Sequence, residues 1–431
     1  MLHNNLSINE KGNLSFRGYD TVELAKEYGT PVYVMDEDMI RENCRVYKKA
    51  LESHFGKESL PLYASKAFSC KAVYRIAAEE GIGCDVVSGG ELYTALKAGF
   101  PMDKVFFHGN NKTEKDIEFA LDCKIGYFVV DNAIELREID RQAGKRSVKQ
   151  SILLRITPGI DPHTHKAVIT GNIDSKFGNA IETGQAMDIV KLALSLENVT
   201  LMGLHCHIGS QIFECQPFTD AAETMIRFIK SVKDETGYET KLLNLGGGMG
   251  VRYIEEDPVI DYGANIAKIA EKIKSYASDN GITLPTILME PGRSLVAAAG
   301  ITLYTVGGIK EIPGFKNYVS IDGGMPDNPR YALYQSIYTC ITANKAAEKA
   351  DYCCTVAGRC CESGDLIAEN TKIQKPSTGD TLAVLCTGAY NYAMASNYNR
   401  LPLPPVVMVS ENKKYVAVAR QSYDDLIRND L

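Results

Sequence analysis

Five short segments, far apart in the chain, hold residues that could do chemistry. Lys66 stands in PLYASKA, directly after a buried β-prone run. A lysine at a strand end can be desolvated, which lowers its pKa and frees the amine for Schiff-base formation. The same position also suits a surface lysine that opens a helix. His205 and His207 lie two apart on a predicted strand, so their side chains share one face. That spacing fits a metal pair, but no third ligand stands at a recognisable spacing, which favours stacking on a planar cofactor over zinc. A satisfied core histidine is the plainer alternative. Ser210, in HIGSQ, could hydrogen-bond a phosphate, and Gly246-Gly247-Gly248 could let backbone N–H groups approach one. GGGMG is not a dinucleotide fingerprint, which needs GxGxxG after the first strand. Glu290-Pro291-Gly292-Arg293 offers a carboxylate that could keep a pyridine nitrogen protonated, and a planar donor fork suited to carboxylate or phosphate. An ion pair closing the fold is the structural reading of the same residues. Last, Cys360-Cys361-Glu362-Ser363-Gly364-Asp365 sets a possible thiol acid beside carboxylates in a loop.

These residues need elements to bring them together. Short apolar, β-branched runs recur at Leu60–Ala64, Cys84–Val87, Val105–His108, Tyr127–Val130, Ile152–Ile156, Leu201–His207, Leu242–Leu245 and Thr286–Met289. Amphipathic stretches such as Cys70–Glu80, Gly90–Ala98, Glu114–Cys123, Ala133–Gln142 and Phe218–Asp234 separate them. Eight strands alternating with helices imply parallel pairing and a closed (β/α)8 TIM barrel, with an open doubly wound sheet as the alternative. Most of the polar segments fall just past strand ends, the face of such a barrel where catalysis sits. Beyond about residue 300 the pattern turns to strand-like runs, which predicts an all-β domain. The expected division is 36–298 for the barrel, and 1–35 with 299–431 for the β domain.

Composition excludes several classes. The 431 residues are 45% hydrophobic and 23% charged, as in a globular protein. A net charge of −7 and a pI near 5.7 argue against nucleic-acid binding. No apolar run approaches the ~20 residues of a membrane span, and the opening MLHNNLSINEKGN lacks the basic-then-apolar pattern of a secretory signal. Twelve cysteines without a CxxC pair read as cytosolic thiols, so the expected location is cytoplasmic.

The ordered set of motifs resembles the fold-type III pyridoxal-phosphate decarboxylases, which share an alanine-racemase-like architecture. Lysine follows strand one, HIGS strand six, GGG strand seven and EPGR strand eight; CESGD and GAYN follow in the β domain. The likeness runs from about residue 30 to 400. LHCHIGSQI, TGNIDSKFG at 170–178, EPGRSLV, PRYALY and CESGD resemble the diaminopimelate-cleaving branch.

The resemblance implies pyridoxal 5'-phosphate as cofactor and decarboxylation of meso-2,6-diaminopimelate at its D-centre, giving L-lysine. It implies that Lys66 holds the cofactor as a Schiff base, that His207 stacks on its ring, and that Glu290 partners the pyridine nitrogen. Ser210, Gly246, Gly247, Gly248 and Gly292, with Pro291 and Arg293 in the same segment, match cofactor contacts. Tyr390 matches a tyrosine near phosphate and substrate. Arg293, Arg330, Tyr334 and Glu362 match the residues that hold the distal amine and carboxylate. Cys361 matches the proton donor, which arrives from the partner subunit of a homodimer. No metal is implied. Two departures stand out: Arg-Pro-x-Leu-Tyr reads Arg330-Tyr331-Ala332-Leu333-Tyr334, and Cys360 adds a second thiol beside Cys361. Carboxynorspermidine or another basic amino acid is the alternative substrate; Arg330, TGNIDSKFG and Glu362 favour the dicarboxylic diamine. A racemase would pair the pyridine nitrogen with arginine rather than Glu290, and a dead homologue would not keep Lys66, Glu290 and Cys361 together.

Overall fold

The computed structural model describes residues 1–160 and 174–431. Eight parallel strands follow one another around a closed barrel: β1 (Leu60–Ala64), β2 (Gly83–Val86), β3 (Val105–Phe107), β4 (Tyr127–Val130), β5 (Gln150–Thr157), β6 (Val199–His205), β7 (Leu242–Asn244) and β8 (Thr286–Met289). Closure comes from β8 pairing with β1, Leu288 opposite Leu60 and Met289 opposite Pro61. Each strand is short and nearly all buried, as expected where both faces are covered. Leu62, Phe106, Val129, Leu153 and Leu288 form one packed cluster contributed by five of the strands. The barrel is therefore filled, and its chemistry must lie at a rim.

The intervening helices form where the amphipathic stretches predicted them, at Lys71–Glu79, Gly89–Ala98, Glu114–Asp122, Ala133–Lys145 and Gln216–Thr236. Ser88, Thr113 and Asn132 start three of them by accepting a backbone N–H of the first turn. No helix among the described residues is long and apolar enough to cross a membrane.

The described chain divides into two compact units. One comprises residues 42–250 and 260–292, and holds the barrel. The other comprises residues 1–41, 251–259 and 293–431. The second unit is built on a sheet whose longest strand, Gly300–Ile312, pairs with Lys316–Ile321, Thr381–Leu385 and Val32–Asp36. Val32–Asp36 and Val406–Val409 are buried at every position and pair in parallel. The opening stretch thus adds a central strand here, as well as a small sheet of its own at Leu6–Ile8, Leu14–Phe16 and Tyr19–Asp20. Lys316–Ile321 and Tyr352–Ala357 run parallel side by side, so their C-terminal loops emerge together.

Candidate active site

In the barrel unit, β1 ends in a single 3-10 turn, Ser65–Ala67. Ser65 and Ala67 are buried, whereas Lys66 is exposed. Lys66 is thus not buried by its own strand end, yet it stands near enough for its charge to act on buried Asp85, His205 and His207. Ser65 is fixed by donating to Glu91 Oε2 at 2.9 Å, and the same oxygen accepts Val87 N at 2.8 Å. Pro291 and Gly292 pack on this turn. Ala64 N donates to Pro291 O at 3.1 Å, and a Cβ on Gly292 would lie 2.8 Å from that of Ala64.

Glu290 follows β8 and is almost wholly buried. Asn244, the last residue of β7, donates to its Oε1 at 2.7 Å. His205, the last residue of β6, meets Oε2 at 3.2 Å. His108, just past β3, brings Nε2 to 2.9 Å from Oε1, off the line of a good hydrogen bond. Burial would push the Glu290 carboxyl up, but the two histidines outweigh it and hold it well below the ordinary range. Burial acts on the histidines too, and pushes His108 down to about 4 and His205 below its usual value. At neutral pH the cluster is thus one carboxylate among neutral donors. The donor atoms of His108, His205 and Glu290 lie within 4.8 Å of one another, close enough for a divalent cation. Their contacts with each other account for the cluster without one.

Asp85, on β2, is fully buried, and its Oδ1 has no hydrogen-bond partner among the described residues. Burial and then the charge of Glu290 hold it well above the carboxylate range, while Lys66 pulls it down. Arg155, on β5, lies over the Phe177 ring at 4.2 Å and 4.0 Å from Asp131 Oδ1. Asp131 also accepts Gly178 N at 3.1 Å. The described end of TGNIDSKFG, from Asp174 onward, therefore packs against Arg155 and Asp131. Thr170–Ile173 of that segment lie outside the described residues.

β6 stops at His205, so His207 lies beyond it and the expected shared strand face does not govern it. His207 accepts Gly247 N on its Nδ1 at 3.3 Å, and burial drives its pKa well below the usual value. The glycine triplet is needed for closeness. A Cβ on Gly246 would lie 2.5 Å from Cys206 O, on Gly247 2.0 Å from Glu290 O, and on Gly248 2.1 Å from Gly209 O. Gly246 N donates to Asn244 Oδ1 at 2.9 Å, which leaves Gly248, the least buried of the three, as the outward-facing member. Ile212 N donates to Gly248 O at 3.0 Å, so the loop carrying Ser210 runs beside the triplet. An ionised carboxylate ringed by donors can hold a protonated ring nitrogen, and paired glycine and serine loops can receive a phosphate.

The second unit holds the other predicted residues. Tyr390 sits between two buried arginines, 4.8 Å from the Arg293 guanidinium and 5.3 Å from that of Arg330. Its φ of 60° is strained for a tyrosine. Arg293 donates to Tyr253 Oη at 2.8 Å, and Arg330 also lies 4.5 Å over the Tyr334 ring. Arg330 Nε is buried without a hydrogen-bond partner among the described residues. The residue where proline was expected, Tyr331, donates its hydroxyl to Glu369 Oε2 at 2.5 Å and so ties the short helix Arg330–Tyr334 to strand Leu366–Ile373. Cys361 and Glu362 are exposed; Asn399 Oδ1 accepts Cys361 N at 2.7 Å, and Tyr398 Oη lies 3.4 Å from Glu362 Oε2. Cys360 differs: burial and the adjoining Asp365 push its thiol up to about 12.

Sequence reasoning missed Asp85, His108, Asn244 and Arg155. The available signal was a polar or charged residue near the C-terminal end of a buried strand, which apolar packing does not require.

Comparison with known proteins gives the family and the fold. The pyridoxal-binding domain of the pyridoxal-dependent decarboxylases matches residues 37–297. The diaminopimelate decarboxylase of Bacillus methanolicus is 48% identical, over 97% of each chain. That of Bacillus subtilis is 46% identical, over 100% of this chain and 98% of its own. Among solved structures, diaminopimelate decarboxylase from M. jannaschii in complex with L-lysine superposes with a TM-score of 0.92 at 37% identity, covering 100% of this chain and 99% of that one. With a closed barrel ending in an ionised Glu290 and kinship along its whole length, the chain belongs to the diaminopimelate decarboxylase family of pyridoxal-phosphate-dependent enzymes.

Proposed function

We propose that this protein decarboxylates meso-2,6-diaminopimelate at its D-centre to L-lysine and CO2, the last step of lysine biosynthesis, as a cytoplasmic homodimer. Arg330 carries the choice of substrate. A buried guanidinium whose Nε lacks a partner among the described residues suits an anion, because leaving that donor unpaired is costly. Diaminopimelate brings a second carboxylate for it; carboxynorspermidine has only the one that reacts. Full-length relatives named for diaminopimelate, 48% and 46% identical, support the same reading.

Pyridoxal phosphate, when bound, supplies an electron sink for the pair left behind as CO2 departs. Lys66 holds the cofactor's aldehyde end, and Glu290 keeps its ring nitrogen protonated. His207 would lie against the ring. Ser210, Gly248 with Gly246 and Gly247, and Gly292 receive the phosphate, with Tyr390 nearby. Arg293, Arg330, Tyr334 and Glu362 orient the distal carboxylate and ammonium. Cys361, an exposed thiol, gives a proton to the carbon that lost CO2, from the partner subunit. Cys360 is unsuited to this task because its thiol is held against Asp365.

Purified protein supplied with pyridoxal phosphate and meso-diaminopimelate should release CO2 and L-lysine in equal amounts. Borohydride should fix the cofactor on the peptide containing Lys66. Turnover of carboxynorspermidine in preference to diaminopimelate would overturn the assignment.

A further inference from the structure

The loop that carries Cys361 is fixed from two sides, and only one of them lies in the core. On the inner side Asp365, 2% exposed, accepts Cys360 N on Oδ2 at 2.7 Å and Met325 N on Oδ1 at 2.5 Å. Within the loop, Glu362 N donates to Cys360 O at 2.8 Å, and Asp365 N to Glu362 O at 3.1 Å. On the outer side, Asn399 Oδ1 accepts Cys361 N at 2.7 Å. The Cys360 carbonyl and the Cys361 N–H belong to one planar peptide unit, so the bonds to Glu362 and Asn399 together set the direction of that plane. The bond to Glu362 is internal to the loop and turns with it. Among the described residues, Asn399 alone ties this plane to another part of the chain.

Asn399 sits in a turn that burial does not shape. Residues 397–400 are all exposed, yet Asn399 and Arg400 both take left-handed backbone, at φ 51° and 55°. Two such residues in a row are strained, and strain of this kind persists only where the surroundings impose it. Here residues 421–430 impose it. Arg400 Nη1 donates to Leu426 O at 2.7 Å, and its Nη2 meets Asp430 Oδ2 at 3.0 Å. Asn397 Nδ2 donates to Gln421 Oε1 at 2.7 Å, and the same oxygen accepts Leu403 N at 2.9 Å. The clamped turn presents the Asn399 amide oxygen to the Cys361 loop. Tyr398 Oη, 3.4 Å from Glu362 Oε2, adds a second contact between turn and loop. All of these residues belong to one unit, so the clamp travels with the thiol to whichever subunit's barrel it serves.

We propose that Asn399 is a positioning residue for the proton donor: it fixes the Cys361 peptide so that the thiol delivers its proton to the carbon that lost CO2. The inference rests on the proposed function, which gives Cys361 that task. The electron pair left by CO2 is shared between two carbons, the substrate's own and the cofactor's aldehyde carbon. A proton placed on the first yields L-lysine and leaves pyridoxal phosphate unchanged. A proton placed on the second, followed by hydrolysis, yields pyridoxamine phosphate and 2-amino-6-oxohexanoate, the substrate's nitrogen staying on the cofactor. Either way one CO2 leaves and one proton enters; in the second case one water supplies the aldehyde oxygen and Lys66 is left free. A thiol held at a fixed angle therefore decides where the proton goes as well as how fast.

The test uses the holoenzyme and counts pyridoxamine phosphate formed per CO2 released, by chromatography of the extracted cofactor. Asn399→Gly removes the acceptor but suits left-handed backbone even better than asparagine, so the turn keeps its shape. It should lower kcat about fivefold, the worth of one hydrogen bond, with KM for diaminopimelate and cofactor loading within about twofold. Pyridoxamine phosphate per CO2 should rise by the same factor of about five, because only the correct protonation is slowed. Hydrogen exchange at the Cys361 amide should speed up while that of Cys360, held by Asp365, does not. Asn399→Asp keeps an acceptor oxygen and should stay within about twofold of the parent in both rate and product ratio. Cys361→Ala separates the two ideas. If it shifts the product ratio and Asn399→Gly does not, the positioning role is wrong and the proposed function stands. If Cys361→Ala leaves rate and ratio unchanged, the assignment of Cys361 as proton donor is itself wrong. Parallel losses of kcat, cofactor loading and melting temperature in Asn399→Gly, with the product ratio unmoved, would reduce Asn399 to a structural part and overturn the proposal.

Discussion

Glu290 keeps its charge at a place where burial alone would remove it. Asn244 and His205 contact its carboxylate at 2.7 and 3.2 Å, and the field of His108 adds to them. Glu290→Gln should still bind cofactor, because the cradle is unchanged, but lower turnover by about ten- to a hundredfold, the worth of a charged hydrogen bond. Wild-type turnover in a fully loaded variant would make Glu290 merely structural. His108 gives a pH signature. It is pushed down to about 4 from an ordinary 6.5, so between those values the unfolded chain takes up a proton that the folded chain refuses. Stability must therefore fall as pH is lowered from about 6.5 towards 4, by about 3 kcal/mol in all from this group. Glu290, held low, adds a loss in the same direction at more acid pH. Asp327, pushed up to about 7 by burial, acts oppositely and costs stability as pH rises. The stability of the parent relative to His108→Asn, from urea unfolding, should fall as pH is lowered from 7 to 5, whatever Asp327 adds to both; a difference independent of pH would place the titration elsewhere.

At the scale of elements, loop ends matter more than strand interiors. The glycine turn after β7 presses its backbone against the carbonyl of Glu290, so Gly247→Ala would drive a methyl to 2.0 Å from that atom. The turn or Glu290 must then move. Cofactor affinity should drop more than about tenfold, read by dialysis and absorbance, with a lower melting temperature. Unchanged loading would show that the turn can yield at no cost. The short helix Arg330–Tyr334 depends instead on the Tyr331–Glu369 hydrogen bond. Tyr331→Phe should cost about 1 kcal/mol of anchoring and raise KM for diaminopimelate a few-fold while kcat holds. A change confined to kcat would separate this helix from substrate binding.

For the whole molecule, the main consequence concerns assembly. Cys361 is exposed on the isolated chain, as are Leu333, Ile337 and Tyr398 of the same unit. Under the proposed homodimer, Cys361 serves the barrel of the partner subunit. Cys361→Ala and Lys66→Ala should each be nearly inactive alone. Mixed and re-equilibrated, half of the dimers become hybrids with one intact site each, so about a quarter of native activity should return. Cys360→Ala is the control and should lose little. No recovery, with subunit exchange confirmed, would place Cys361 in its own chain's site or outside catalysis.

Much of this architecture was legible in the sequence. Eight β-prone runs, spaced by amphipathic stretches, pointed to eight parallel strands and favoured a closed barrel over an open sheet, because strand and helix periods are local properties of the chain. Lys66, Glu290 and the glycine triplet were visible for the same reason: each sits at a strand end, where burial no longer demands an apolar residue. Tertiary structure alone decided what meets Glu290. His108 and His205 are 97 residues apart and Asn244 a further 39, and no spacing along the chain relates them. Alternation tells which face of its own strand a residue takes; only the register between strands, set when β8 closes on β1, tells which residues share a layer. The same holds for Lys66, whose exposure follows from the 3-10 turn after β1, and for Asp365, whose two bonds become visible only once two parallel strands release their loops side by side.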